Sequence, residues 1–167
     1  MDYATEHYTQ GKLKMNSNND SINFEGGEVI YCEGEKADDL FILESGQVIV
    51  VKEIEKRLVP IAIANEKDFL GEMCLFGENL RSETAITIGP TRLIKLKQAD
   101  LSGQVNLCPD WANQVLMTIA ERLGHANNTI RDHKIFDERL CGGKILGAQE
   151  ENELKAIIKA YKEKMDD

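Results

Sequence analysis

Positive charge is in short supply in this chain: 20 Lys and Arg face 29 Asp and Glu, a formal balance of −9 over 167 residues. Duplex DNA is gripped largely through its phosphates, and its readers carry the opposite excess, so DNA is not an expected partner. Long apolar runs are missing as well. No stretch approaches the roughly 20 apolar residues that cross a bilayer, so no membrane span is expected. The polar residues 1–20 lack the apolar core and cleavage site of a secretory signal. Cysteine is sparse and scattered, with Cys32, Cys74, Cys108 and Cys141 all more than 30 residues apart. Without a C-x-x-C pair, and with His7, His125 and His133 out of step, these thiols form no metal-ligand pattern. They read as reduced thiols of a cytoplasmic protein rather than a disulfide framework. No Ser-His-Asp, Cys-His or paired-carboxylate spacing points to catalysis, so the expected class is non-enzymatic, with no cofactor. What is present, 42% hydrophobic and 29% charged residues, is the composition of an ordinary folded domain.

Residues 1–20 read as a flexible leader, ending in the turn-forming run Met15-Asn16-Ser17-Asn18-Asn19-Asp20. Short runs rich in β-branched residues then follow, at 29–31, 40–43, 48–51, 58–64, 84–88 and 92–96. Gly26-Gly27, Gly34, Gly46, Gly71, Gly77 and Gly89 separate them, and such evenly spaced short strands predict an antiparallel β-roll or jelly roll. After Asp100 the apolar period lengthens. Residues 110–136 predict a long helix, on which Ala112, Leu116, Ile119, Leu123, Ala126 and Ile130 form a seam. That seam suits either packing on the chain's own roll or pairing in a homodimer. Cys141-Gly142-Gly143 ends the helical pattern, and residues 148–165 predict a short amphipathic helix with Leu154, Ile157, Ile158, Tyr161 and Met165 on one face. The expected organisation is thus a leader (1–20), a β-roll with its long helix (21–136) and a helical tail (137–167), mainly β with C-terminal helices.

The chemistry concentrates in Phe69-Leu70-Gly71-Glu72-Met73-Cys74-Leu75-Phe76-Gly77-Glu78-Asn79-Leu80-Arg81-Ser82. Gly71 permits a tight turn after a strand, and residues 72–76 suit one short helical turn whose leading amides, Glu72, Met73 and Cys74, favour an anion. Arg81 offers a planar fork of donors suited to phosphate. Glu72, an acid at an anion site, makes sense where the ligand brings hydroxyl donors beside its phosphate, as a ribose does. Taken singly, Glu72 is also an ordinary first-turn acid, Arg81 a surface charge near Glu78 or Glu83, and Cys74 a small packing residue. Their conjunction with Gly71 and Ser82 is what points to a ligand.

This stretch resembles the phosphate-binding cassette of cyclic nucleotide-binding domains, roughly F-G-E-hydrophobic-x-L followed by R-[SAT]-A. The segment Glu33-Gly34-Glu35-Lys36-Ala37-Asp38-Asp39-Leu40-Phe41-Ile42-Leu43-Glu44-Ser45-Gly46 is similar to the family's E-G-x-x-(A/S)-D segment, and Cys108-Pro109-Asp110 through Glu121-Arg122-Leu123 to its long helix. The resemblance spans residues 24–136. It implies a roll that closes over cAMP, the favoured ligand, or cGMP. Glu72 would accept from the ribose 2′-hydroxyl and Arg81 would pair with the cyclic phosphate. Ser82 and the amides of Gly71, Glu72, Met73 and Cys74 would complete the anion site, while Val50 and Ile61 would line the base and sugar. Arg122 and Asn127, beside Ala126, match the helix region that meets the base edge in bacterial members.

Two departures stand out. Glu83 occupies a position where a small Ala is usual: pointing outward it is neutral, pointing inward it repels phosphate. Ala126-Asn127 replace a frequent hydroxylic pair, leaving base selectivity open. The segment after residue 136 is short for a winged helix, and Glu150 to Asp167 hold six acids against four bases. The initial Met and charged tail favour a stand-alone chain over a regulatory piece of a larger protein. The sequence therefore predicts a sensor that signals to an unknown protein partner by repositioning its C-terminal helices. The alternatives are a β-roll interaction module that has lost its ligand, or such a regulatory piece.

Overall fold

The computed structural model describes residues 21–76, 79–99, 109–112 and 146–165, with 114, 115, 118, 119 and 122. The leader, the helix beyond residue 122, Asn127, Cys108 and Cys141 lie outside these described residues. The short β-branched runs pair into two four-stranded antiparallel sheets. One has the order β1 (Ser21–Phe24), β8 (Thr91–Lys97), β3 (Asp39–Ser45), β6 (Phe69–Leu70). The other runs β2 (Val29–Tyr31), β7 (Thr84–Thr87), β4 (Val48–Ile54), β5 (Arg57–Ala64). A 3₁₀ turn, Glu72–Phe76, follows β6, and a helix α1 (Ala148–Met165) closes the described chain. This is the β-roll expected from the sequence. β6 is the strand that the turn at Gly71 was expected to end; β1 was not among the expected strands, and β7 stops at Thr87, leaving Ile88 exposed.

The core lies between the sheets, where Tyr31, Phe41, Leu43, Val48, Val50, Ala85 and Leu93 pack together. Alternation sends Ile49 and Val51 to the opposite face of β4. There they meet Leu154, Ile157, Ile158 and Tyr161 of α1, with Val29, Cys32, Leu58 and Ile86 around them. Both faces of β4 are thus covered, which accounts for the unbroken run Val48-Ile49-Val50-Val51. Pro60 cannot donate to a ladder. It sits on β5, the edge strand, opposite a register shift between Val50 and Val51.

The helix is pinned by one buried acid. Glu151, 7% exposed, accepts from the Leu58 amide at 3.0 Å and from Lys155 at 2.7 Å, with Arg57 3.6 Å away. These contacts, the Lys155 hydrogen bond foremost and the Leu58 amide next, hold its carboxyl below the ordinary value of 4.5. A depressed carboxylate stabilises the fold fully above its unfolded value, and that contribution is lost as pH falls through the lower folded value. Docking of α1 is therefore expected to loosen below about pH 4.5. Amide-exchange protection over 148–165, corrected for intrinsic rates, should drop there in the wild type. In Glu151→Gln it should already be reduced at pH 7 and change less on acidification.

Candidate functional site

The turn after β6 brings the chemistry together. Gly71 has φ +74°, a left-handed conformation that suits glycine, and a Cβ there would fall on Nη1 of Arg81. The backbone consequently passes directly over the guanidinium, and Nη1 donates to the Gly71 carbonyl at 3.3 Å. Cys74 N donates to the same carbonyl at 3.3 Å, which tightens the turn. Gln98 Nε2 donates to the Cys74 carbonyl at 2.6 Å and secures its end.

Arg81 is only 6% exposed. Its guanidinium lies over the Tyr31 ring, 4.3 Å from the centroid, with the Phe41 ring at 5.7 Å. The electron-rich ring face attracts the cation and replaces part of its lost hydration. Nε of Arg81 and the Tyr31 hydroxyl are buried without hydrogen-bond partners. Among the described residues, Arg81 makes no ion pair. A buried cation with a spare donor is ready for an anion.

The segment bearing it is strapped from two sides. Arg81 N donates to the Glu35 carbonyl at 2.8 Å, and Gly34 N donates to the Arg81 carbonyl at 2.9 Å. From β4, Lys52 Nζ donates to the Ser82 carbonyl and pairs with Glu33 at 3.3 Å. Glu33 N in turn donates to Thr84 Oγ1 at 3.0 Å.

Beside this anchor lies a cleft of about 450 Å³, walled by Val50, Ile61, Ile63, Phe69 and Met73, with Asp68, Glu72 and Glu83 on its lining. A pocket of about 10 Å³ surrounds Arg81, Ser82, Gly71, Cys74 and Tyr31 and also touches Met73 and Glu83. Of the residues selected from sequence, Gly71, Met73, Cys74, Arg81 and Ser82 therefore surround the small pocket. Val50, Ile61, Glu72 and again Met73 line the cleft. Ile61 is 36% exposed at the cleft wall and is not a core residue, in contrast to the buried Leu58 and Ala64 of the same strand. Arg122 is helical and exposed, and lines neither space. Glu83 points inward, with Ser82 Oγ donating to its Oε2 at 3.1 Å.

Burial pushes the Tyr31 phenol well up, followed by the charge of Glu83, against the opposing pull of Arg81. Burial likewise raises the Cys74 and Cys32 thiols, so neither is an activated nucleophile. Among the described residues no cluster of three or more His, Cys, Asp or Glu forms a metal site. No helix among them is long and apolar enough to cross a membrane. Tyr31 and Lys52 were not singled out from sequence. Tyr31 lies in an apolar strand like any core aromatic; Lys52 carries a faint signal, a lone cation directly after a fully apolar run.

Comparison with known proteins gives a consistent picture. The family model described as "Cyclic nucleotide-binding domain" matches residues 21–106. The chain is 29% identical over 112 residues to the CRP-like cAMP-activated global transcriptional regulator of Mycobacterium tuberculosis, covering 66% of this chain and 50% of that protein. It is 39% identical over 79 residues to a cGMP-dependent protein kinase of Caenorhabditis elegans, covering 46% of this chain and 10% of the kinase. The cAMP-bound structure of the EAL enzyme Bd1971 superposes with a TM-score of 0.61 at 23% identity, over 66% of this chain and 29% of that one. The chain thus spans about half the length of the bacterial regulator it matches.

The glycine at the turn separates backbone strain from contact with the cation. Gly34 also has positive φ, +88°, but nothing lies within 4 Å of a Cβ there. Gly34→Ala should therefore lower stability by about 1 kcal/mol, the left-handed backbone cost alone. Gly71→Ala carries that cost and must also displace Arg81, for a loss of about 2–4 kcal/mol. Urea titrations of both variants check the order.

Proposed function

Because the chain belongs to the cyclic nucleotide-binding domain family, we propose that it is a non-enzymatic sensor of cAMP or cGMP. The observation that carries this reading is the buried, incompletely partnered guanidinium of Arg81 beneath the Gly71 turn, next to a half-apolar cleft bearing Glu72. The cyclic phosphate widens the small Arg81 pocket, which as it stands has room for about one water, and meets the guanidinium and the leading amides of the 3₁₀ turn. The ribose 2′-hydroxyl donates to Glu72, and the base lies against Val50, Ile61 and Ile63. The relatives named above include one called cAMP-activated and one called cGMP-dependent, which supports either nucleotide as the ligand. The mechanism is binding and relay, with no bond made or broken.

Calorimetry with cAMP and cGMP tests this directly, with affinities expected in the micromolar range, about −8 kcal/mol. Arg81→Ala should weaken binding by about 2–5 kcal/mol, since it leaves a phosphate without its main counter-charge. Glu72→Ala should cost about 1.5–3 kcal/mol, the worth of a hydrogen bond to a charged group. A 2′-deoxy nucleotide should be penalised in the wild type and much less in Glu72→Ala. Absence of heat and of any thermal shift at millimolar nucleotide would leave the roll as an interaction module only.

The output we propose is movement of the C-terminal helices toward a protein partner. Glu35, whose carbonyl receives the Arg81 amide, contributes its charge, after burial, to raising the Tyr161 phenol of α1, and Cys32 of the same segment lies in the cluster against which Tyr161 packs. A ligand drawn against Arg81 thus tugs a loop in direct contact with α1. It shifts the helix only by its differential affinity for the two positions. Trp111, Val115 and Ile119, each at least half-exposed on one side of the preceding helix, supply an apolar stripe for a partner or second copy. Hydrogen exchange with and without nucleotide should show altered protection in 32–38 and 148–165; identical protection in both would refute the relay.

A further inference from the structure

Three carboxylates, Asp68, Glu72 and Glu83, are on the cleft lining, which includes no Lys or Arg. The cation that would receive an anionic ligand, Arg81, lies in the neighbouring small pocket. Glu83 and Met73 are common to the two linings, so Glu83 borders both the cleft and the pocket that holds the guanidinium. Ser82 Oγ holds it there by donating to Oε2 at 3.1 Å. Tyr31, the ring beneath Arg81, senses the same placement: after burial, the charge of Glu83 contributes most to raising its phenol. A carboxylate in this position offers what a cyclic phosphate would bring, a compact anion with acceptor oxygens for the Ser82 hydroxyl and nearby donors.

We infer that Glu83 is an internal competitor for the nucleotide phosphate and the residue that sets this site's affinity. The inference rests on the cyclic nucleotide reading above. Glu83 occupies the Ser82 hydroxyl that the phosphate would use, and it places a like charge on the approach to Arg81. Binding therefore includes breaking the Ser82–Glu83 hydrogen bond and turning the carboxylate aside. The site is thereby tuned to respond only at high nucleotide concentration, although its Gly71-Glu72 turn and Arg81 are intact.

The test is calorimetric titration of wild type, Glu83→Gln and Glu83→Ala with cAMP, cGMP, adenosine and guanosine, after thermal melts establish that all three proteins fold. Glu83→Gln keeps the side-chain size and an acceptor for Ser82 while removing the charge. Both variants should bind the two cyclic nucleotides at least about tenfold more tightly than wild type, as expected for deleting a like charge a few ångströms from the phosphate. The uncharged nucleosides should show no such gain. Saturable binding by Glu83→Gln where the wild type shows none would support the competitor role and leave the wild-type chain an interaction module. Cyclic nucleotide affinities that stay equal or fall in both variants would overturn the competitor role and leave the sensor reading standing. An equal gain for nucleosides would also overturn it, because the variants would then act through pocket shape. No binding by any of the three proteins would bring down the sensor reading and the competitor with it.

Discussion

A guanidinium taken out of water is costly when no ion pair meets it, as Arg81 makes none among the described residues, and the surrounding chain is arranged to bear that cost. The Tyr31 ring face and the Gly71 carbonyl each restore part of the lost hydration, and neither restores all of it. The demand then spreads outward. Residue 71 must be a glycine so that the backbone can lie against the guanidinium, and the loop from Gly34 to Glu35 must bracket Arg81 to fix its height. The remaining deficit is what gives the pocket its appetite for an anion. Satisfying Arg81 fully with an internal acid would give a firmer core and a silent protein.

Strand β4 shows how few residues serve these separate demands. Val48 and Val50 pack into the roll, with Val50 also forming the cleft wall. Ile49 and Val51 carry α1 on the other face. Lys52, at the end of the same run, reaches the Ser82 carbonyl and Glu33. The strand that supports the C-terminal helix is thus also the strand that holds the anion-facing segment, so displacement at one is felt at the other without a long chain of intermediaries.

Much of this was legible in the sequence where the cause is local. The β-branched runs named six of the eight strands, and Gly71-Glu72 with Arg81-Ser82 named the turn and its cation. The other two lack such a run: Phe69–Leu70, only two residues long, was legible only as the strand before the Gly71 turn, and Ser21–Phe24 is defined by its pairing with β8. Tyr31 could not be found because its role depends on Arg81, 50 positions away in the chain, arriving over its ring. Glu83 precedes the regular alternation of β7, which starts at Thr84, so its inward direction is fixed by the approach to the strand and not by a period of two. Arg122 rests on resemblance alone. A motif position on a helix says where the backbone runs and leaves open which surface the side chain meets, and here it meets solvent.

The covering of β4 by α1 also bears on solubility. Without residues 146–165, Val29, Ile49, Val51, Leu58 and Ile86 would become a continuous oily sheet face in water, beside the unpaired edge of β5. Stacking of such faces between molecules is the ordinary route to aggregation. The helix therefore acts as an intramolecular chaperone for the sheet, and its freedom to move is bounded by the need to keep that face from finding a copy of itself.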